Sequence, residues 1–254
     1  MSDCPLKFAH FPYLGGVLSD EARLARGRIR VLDVACGSGE LANYAQIPDE
    51  CDLYGLDLWG HQLRQAAGRN AYSSLLQVNL VDGLPFKSGS FDVIVCSGIL
   101  IYLPNANEIV SECHRLLREG GRMFVYNPVC SLSRLAAKLK KWSRRIYQEK
   151  STVALDSQTD WKNANRACRI TYYSSRSLVE ELAAPGFRVV DVRGFRISRN
   201  RLRFLKRLET LEWFSRASKY LAARYPSLAS DILVEGRKPF QAEVEAPVRN
   251  RRAA

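Results

Sequence analysis

A glycine-rich turn lies near the start of the chain, over Asp33–Gly39, with the sequence Asp-Val-Ala-Cys-Gly-Ser-Gly. It follows a strand-like run and precedes a helical segment. Small residues at positions 35, 37 and 39 let the backbone turn tightly and let a ligand approach the main chain closely. The free amides at the helix start suit an acidic ligand group. Taken alone, the turn is also compatible with a strand-to-helix connection that binds nothing.

Asp57 favours the interpretation of the turn as a ligand-binding loop. It ends the next strand-like run, about twenty residues after the turn, where doubly wound folds place a carboxylate against ribose hydroxyls. A solvated aspartate at a strand end is the simpler alternative. The turn and the aspartate together favour a cofactor that contains a nucleoside.

The elements that must position these residues alternate along the chain. Strand patterns lie at 28–34, 51–57, 75–79, 91–96 and 121–127, with helical patterns at about 39–46, 60–69 and 105–118. A helix at 175–184 and strands at 187–192 and 229–235 follow. We therefore predict one α/β domain over 1–238, with a doubly wound, Rossmann-like, mostly parallel sheet of seven strands and helices on both faces.

Three segments fall outside that pattern. Residues 1–28 form a predicted N-terminal cap, and residues 239–254 form a basic tail that we expect to be disordered. Residues from about 130 to 170 separate two sheet strands and begin with a basic amphipathic helix, so we predict a helical lid insertion.

The order of motifs resembles that of class I S-adenosylmethionine-dependent methyltransferases of the small-molecule and lipid type. The similar segments are Val31–Gly39, Gly55–Asp57, Gly83–Val95, His114–Arg122, Tyr173–Leu182 and Gly186–Val190. They span about residues 29–127 and 171–195 in the order that the family shows. A dinucleotide-binding dehydrogenase is the rival, but it would require a fuller Gly-x-Gly-x-x-Gly turn, and the later segments do not fit it.

The resemblance implies S-adenosylmethionine as the cofactor and a role for each matching position. Asp57 would bind the ribose hydroxyls, Leu58 would pack on the adenine, and Asn79 with Leu80 would lie beside the adenine amino group. Ser97 would form part of the floor between cofactor and acceptor. The residues lining the methionine and ribose part would be Asp33, Ala35, Cys36, Gly37 and Gly39.

Three positions depart from the family pattern. Ala35 replaces the usual first glycine, and its small size makes the change tolerable. Asn79 replaces the common aspartate, although its amide oxygen can still accept a hydrogen bond. Tyr102 stands where many small-molecule members carry histidine, so its contact with the acceptor is open. Tyr102 and His10 are the candidate catalytic groups, the latter because N-terminal segments of the family often fold over the site.

Composition bounds the partners. The net charge of +12 permits attraction to anionic lipid, nucleic acid or an anionic substrate without selecting one. Seven scattered cysteines, no metal-ligand spacing and no apolar run long enough for a membrane span predict a cytoplasmic chain without a metal site. The basic amphipathic stretch at 200–224 is compatible with two interpretations. It is either an ordinary packed helix with solvated charges or a surface that binds an anionic membrane.

The expected function is methyl transfer to a small-molecule acceptor or to one linked to a lipid or glycan. Whether the acceptor atom is oxygen, nitrogen or carbon stays open, as does the oligomeric state. The alternatives are a methyltransferase-like protein that binds the cofactor without catalysis, and an RNA methyltransferase. The latter ranks lower because no RNA-binding module is visible and few aromatic residues interleave the charge.

Overall fold

The computed structural model describes residues 8–129, 171, 173–196 and 212–240. Their strands are β1 (Ile29–Val34), β2 (Cys51–Asp57), β3 (Tyr72–Gln77), β4 (Phe91–Ser97), β5 (Leu117–Pro128), β6 (Arg188–Arg196) and β7 (Asp231–Arg237). Their helices are α1 (His10–Ala25), α2 (Glu40–Tyr44), α3 (Gly60–Ala67), α4 (Ala106–Leu116), α5 (Ser175–Ala183) and α6 (Glu212–Arg224). Short 3₁₀ turns lie at Leu80–Asp82, Leu100–Tyr102 and Pro226–Leu228.

The seven strands form one sheet in the order β3-β2-β1-β4-β5-β7-β6. Strands β1 to β5 pair in parallel, whereas β7 runs antiparallel to both β5 and β6. All strands except β7 therefore point the same way. The strand order reverses between β1 and β4, and ligands of open α/β sheets bind at that point, beyond the carboxyl ends of the strands. The predicted mostly parallel seven-stranded sheet is confirmed.

Helices cover both faces of the sheet, as predicted. On one face, α4 and α5 pack on strand residues such as Ile94 and Val125. On the other face, α1 and α2 pack on residues such as Val95 and Phe124. The sequences of the central strands are nearly continuous apolar runs because these strands are buried on both faces.

α1 forms the described part of the predicted N-terminal cap and lies close to the cofactor-side turn. A Cβ atom added to Gly15 would lie 1.5 Å from the carbonyl oxygen of Ala45, so the two backbones are in contact where α1 crosses the end of α2. Farther along α1, Glu21 pairs with Arg122 of β5 at 2.6 Å, and Arg122 also pairs with Glu235 of β7. These contacts hold α1 against the sheet along its length.

Some element boundaries differ from the sequence prediction. β3 spans Tyr72–Gln77 instead of 75–79, because Asn79 already caps the 3₁₀ turn that follows it. β6 continues to Arg196, four residues past the predicted end. The predicted lid at 130–170, the first half of the 200–224 stretch and the tail beyond residue 240 lie outside the described residues. Within the described ranges, no helix is both long and apolar enough to cross a membrane.

Candidate functional site

The turn between β1 and α2 has the left-handed backbone that its small residues permit. Ala35, Gly37 and Gly39 have φ angles of +57°, +56° and +81°. A Cβ atom on Gly39 would lie 3.2 Å from Cα of Ala66, so this glycine also allows α3 to approach the turn closely. Ala35 is different, because an L-residue in this region carries a strain of about 1–2 kcal/mol. The sequence predicts that alanine is tolerated here because it is small, but its small side chain does not remove this backbone strain.

Asp57 connects this turn to the end of β2. Its Oδ2 accepts the backbone N–H of Gly37 at 2.8 Å, and its Oδ1 accepts the N–H of Trp59 at 2.9 Å. The carboxyl is buried, which raises its pKa, while these two hydrogen bonds act in the opposite direction. Each oxygen keeps a further lone pair, so Asp57 can still accept two ligand hydroxyls.

Asp33 has a partner that sequence reasoning missed. Tyr72 of β3 donates its hydroxyl to Oδ2 of Asp33 at 2.8 Å, across the intervening strand β2. The ring passes over Gly55, where an added Cβ atom would lie 2.9 Å from Cε1 of Tyr72. The glycine inside β2 is the sequence signal that could have indicated such a close approach.

The turn is an acidic environment suited to a cation. Burial raises the pKa of Asp33 to about 7, helped by the nearby charges of Glu40 and Asp57, against the hydrogen bond from Tyr72. Glu40 is oriented by the hydroxyl of Ser38 at 2.6 Å. A positively charged ligand group would offset the repulsion among these carboxyls and favour their ionised forms.

Cys36 contributes bulk to the site and no charge. Its side chain is buried, and burial raises the pKa of the thiol well above its usual range. The protonated thiol therefore behaves as a small apolar group beside Gly55.

The residues expected around adenine lie at the ends of β2 and β3. Leu58 is half-buried, and its carbonyl accepts the side-chain amide of Gln77 at 3.0 Å. Asn79 caps the 3₁₀ turn, with its Oδ1 3.5 Å from the N–H of Val81. Leu80 packs into the hydrophobic core and is 7% exposed, so its side chain presents little surface to a ligand.

The carboxyl end of β4 is held by the first turn of α1. His10 is 1% exposed, its Nε2 lies 2.9 Å from Oγ of Ser97, and its ring stacks on Tyr126 with 3.5 Å between centroids. Burial lowers the pKa of His10 to about 3. The structure thus brings His10 to Ser97 as a neutral ring that is poorly suited to act as a general base near neutral pH.

Tyr102 lies in the loop that follows Ser97. It ends the 3₁₀ turn Leu100–Tyr102, is half-buried and packs against the hydrophobic core. Gly98, with φ of +75°, gives this loop its sharp change of direction, and its N–H donates to the carbonyl of Tyr126 at 2.7 Å. Tyr102 thus lies in the loop directly after Ser97, while its contact with an acceptor stays a prediction.

The residues present fit S-adenosylmethionine. The left-handed glycine turn gives main-chain access, Asp57 offers acceptors to the ribose, and the buried carboxyl of Asp33 complements the cationic methionine part. Among the described residues, no group of three or more histidine, cysteine, aspartate or glutamate side chains could hold a metal ion.

Comparisons with known proteins agree with this geometry. The methyltransferase domain family matches residues 32–125. The ubiquinone biosynthesis O-methyltransferase of Pectobacterium carotovorum subsp. carotovorum (strain PC1) is 32% identical over 114 residues, 43% of this chain and 46% of its own. The malonyl-[acyl-carrier protein] O-methyltransferase of Enterobacter lignolyticus (strain SCF1) is 32% identical over 101 residues, 39% of each chain. The chain spans less than half the length of these curated relatives.

Solved structures share the fold at low sequence identity. A putative S-adenosylmethionine-dependent methyltransferase from Listeria monocytogenes has a TM-score of 0.55 at 14% identity, covering 91% of this chain and 99% of its own. The [4+2]-cyclase SpnF has a TM-score of 0.54 at 21% identity, covering 89% and 81%. The ordered motifs, the sheet topology and the domain match agree on one point: residues 32–125 form a methyltransferase domain of the S-adenosylmethionine-dependent type.

Proposed function

We propose that the chain transfers a methyl group from S-adenosylmethionine to an oxygen atom of a small-molecule acceptor. The observation that carries the proposal is the joint placement of Asp33, Asp57 and the left-handed turn between them, beside the ends of β1 and β2. The choice of oxygen rests on the two relatives, whose names describe O-methyltransferases.

The cofactor supplies a methyl group that is already activated on a sulfonium, so the main tasks of the chain are binding, orientation and exclusion of water. Asp57 orients the nucleoside, and Asp33 complements the positive charge. Ser97 ends β4 next to these groups, with its hydroxyl held by His10. A general base is needed only where the acceptor is protonated at the working pH. His10 is neutral and buried, so we expect acceptors with acidic hydroxyl or carboxyl groups, which ionise without a protein base.

A different reaction on the same scaffold is the main alternative. The structural neighbour SpnF is named a [4+2]-cyclase, and a fold by itself does not fix the reaction. A domain that binds the cofactor without transferring its methyl group is the other case. Each of these two alternatives predicts that the chain binds the cofactor but forms no methylated product.

A transfer assay separates these cases. The full chain is incubated with methyl-labelled S-adenosylmethionine and a panel of phenols, carboxylic acids, amines and bulk RNA. We expect label in the phenol or carboxylic acid products, with esters distinguished from ethers by mild alkaline hydrolysis. Label in RNA alone would replace the proposal with an RNA methyltransferase. Tight cofactor binding with no labelled product in any class would support the non-methylating alternatives.

Peripheral contact with an anionic membrane is a second part of the proposal, supported by α6. Trp213 and Tyr220 are 65% and 70% exposed and lie seven residues apart, which places them on one helical face. Arg216 and Arg224 are exposed on the same helix. Aromatic rings beside cations suit the interface of an anionic bilayer.

Flotation with vesicles of phosphatidylcholine and phosphatidylglycerol tests this contact. We expect the chain to float, and the double variant Trp213→Ser and Tyr220→Ser to remain at the bottom. Vesicles of phosphatidylcholine alone should not carry the protein. Equal flotation of the double variant would reject this face of α6 as the contact.

A further inference from the structure

A cavity of about 270 Å³ lies between the first turns of α1, the end of β6 and the second half of α6. Its walls include Tyr13, Arg193, Phe195, Lys219 and Ala223. We propose that this cavity binds the apolar, anionic part of the acceptor. The inference rests on the proposed function and names the class of acceptor that the same site would take.

The cavity lies at the same edge of the sheet as the cofactor turn. β6 runs antiparallel to β7, which runs antiparallel to β5, so the carboxyl end of β6 points to the same edge of the sheet as those of β1, β4 and β5, with β7 between β6 and β5. The ring of Phe195 lies 6.1 Å from that of His10 and 6.2 Å from that of Tyr126. His10 in turn holds Ser97. One layer of aromatic rings therefore separates the cavity wall from the end of β4.

The cavity wall is largely apolar, and the backbones of α6 and β6 are in contact beside it. A Cβ atom on Gly194 would lie 2.3 Å from the carbonyl oxygen of Ala222, so α6 rests directly on β6. The small side chain of Ala223 and the ring of Phe195 then line the space that remains. A space of about 270 Å³, partly open to solvent, is enough for one or two fused aromatic rings.

Two cations border this apolar space. The guanidinium of Arg193 lies 4.5 Å from the centroid of the Tyr13 ring and pairs with Asp191 at 2.5 Å, which neutralises much of its charge. Lys219 is exposed and pairs with no carboxylate among the described residues. Among the described residues, the cavity lining thus carries one uncompensated positive charge, which complements a single carboxylate or phosphate on an apolar body.

Two isosteric probes isolate the charge preference. Binding of 2-naphthoate and of its neutral counterpart 2-naphthamide to the full chain is measured by calorimetry. We expect 2-naphthoate to bind a few-fold more tightly, because a contact with an exposed ammonium contributes up to about 1 kcal/mol. Lys219→Gln should remove that preference while leaving 2-naphthamide binding unchanged. Ala223→Leu, which fills the cavity, should weaken both probes.

Lys87→Gln is the matched control, because Lys87 is an exposed lysine ahead of β4, at the opposite edge of the sheet. It should keep the preference for 2-naphthoate. Equal affinity for the two probes, or a preference that survives Lys219→Gln, would overturn the inference. S-adenosylmethionine binding, measured on the same variants, should not change. If the wild-type chain failed to bind that cofactor while the naphthoate preference held, the proposed function would fail and the cavity would stand.

A labelled acceptor from the transfer panel adds a kinetic test. Lys219→Gln should raise KM for an anionic acceptor several-fold with kcat nearly unchanged, because Lys219 binds the acceptor away from the reacting atoms. A fall in kcat at constant KM would contradict a binding role for this lysine.

Discussion

The imidazole of His10 and the hydroxyl of Ser97 lie 2.9 Å apart, joining the first turn of α1 to the end of β4. Nδ1 of His10 is buried without a hydrogen-bond partner among the described residues. We assign the proton to Nε2, because a buried unpaired acceptor is better tolerated than a buried unpaired N–H. His10 then donates to Ser97, whose own hydroxyl hydrogen stays available to a ligand. His10 is therefore a positioning residue.

Substitution of His10 separates this role from general-base catalysis. His10→Gln keeps an amide N–H that can donate to Ser97, so we expect kcat within about threefold of wild type. If His10 were a general base, this substitution would lower kcat by ~10²–10⁴-fold. Because the pKa of His10 is about 3, we also expect no inflection attributable to His10 between pH 5.5 and 8 in the wild-type profile of kcat/KM. An inflection near pH 6.5 that disappears in His10→Gln would contradict the assignment.

Ala35 and Gly37 of the glycine-rich turn have nearly equal φ angles. Replacing each of them by the other residue type should therefore have opposite effects on stability. Ala35→Gly should stabilise the chain by up to about 1 kcal/mol, since glycine relieves the left-handed strain but gains freedom in the unfolded chain. Gly37→Ala should destabilise it by about 1 kcal/mol, with its new Cβ 3.3 Å from Oε2 of Glu40. Urea unfolding measures both. Destabilisation by Ala35→Gly would show that Ala35 is not strained.

Asp33 should make cofactor binding depend on pH. Its pKa is about 7 without a ligand, so the ionised form that attracts a cation becomes scarce as pH falls. We expect the Kd for S-adenosylmethionine to weaken by up to about tenfold per pH unit below pH 7, with proton release on binding at pH 7. Calorimetry in buffers of different ionisation enthalpy measures both quantities. Asp33→Asn should bind more weakly and without this dependence; a wild-type Kd that is constant from pH 5.5 to 7.5 would refute the assignment.

Arg122 anchors the helix that carries His10. It is half-buried between Glu21 and Glu235, so Arg122→Met leaves two carboxylates without their partner. We expect a loss of about 3–5 kcal/mol in the free energy of unfolding. Arg23→Ala, which removes an exposed pair on the same helix, is the control and should change stability little. Equal small effects of the two variants would show that the Arg122 network does not hold α1.

The fold was predictable because its signals are local. The apolar runs of β1, β2, β4 and β5 each carry their own pattern, and Asp57 follows the glycine-rich turn at a spacing set by one helix and one strand. Ends of elements were harder to place. Asn79 continues an apolar run in the sequence, but its side chain caps a turn and so closes β3 early.

Contacts between distant segments were not predictable. Tyr72 reaches Asp33 only because β3 lies two strands from β1 and Gly55 leaves room between them. The pairing of His10 with Ser97 joins residues 87 positions apart, and no periodicity reports such a contact. The buried, neutral state of His10 depends on its stacking against Tyr126, which places a candidate base in an environment that lowers its pKa.

Calorimetric titration of the wild-type chain with S-adenosylmethionine, in parallel with Asp57→Ala and Asp49→Ala, tests the central claim most directly. Asp57 links the glycine-rich turn to β2, whereas Asp49 is an exposed acid before the same strand. The account predicts one site per chain in the wild type and in Asp49→Ala, and a loss of at least about tenfold in affinity in Asp57→Ala. No binding by the wild type, or equal affinity in all three proteins, would contradict it.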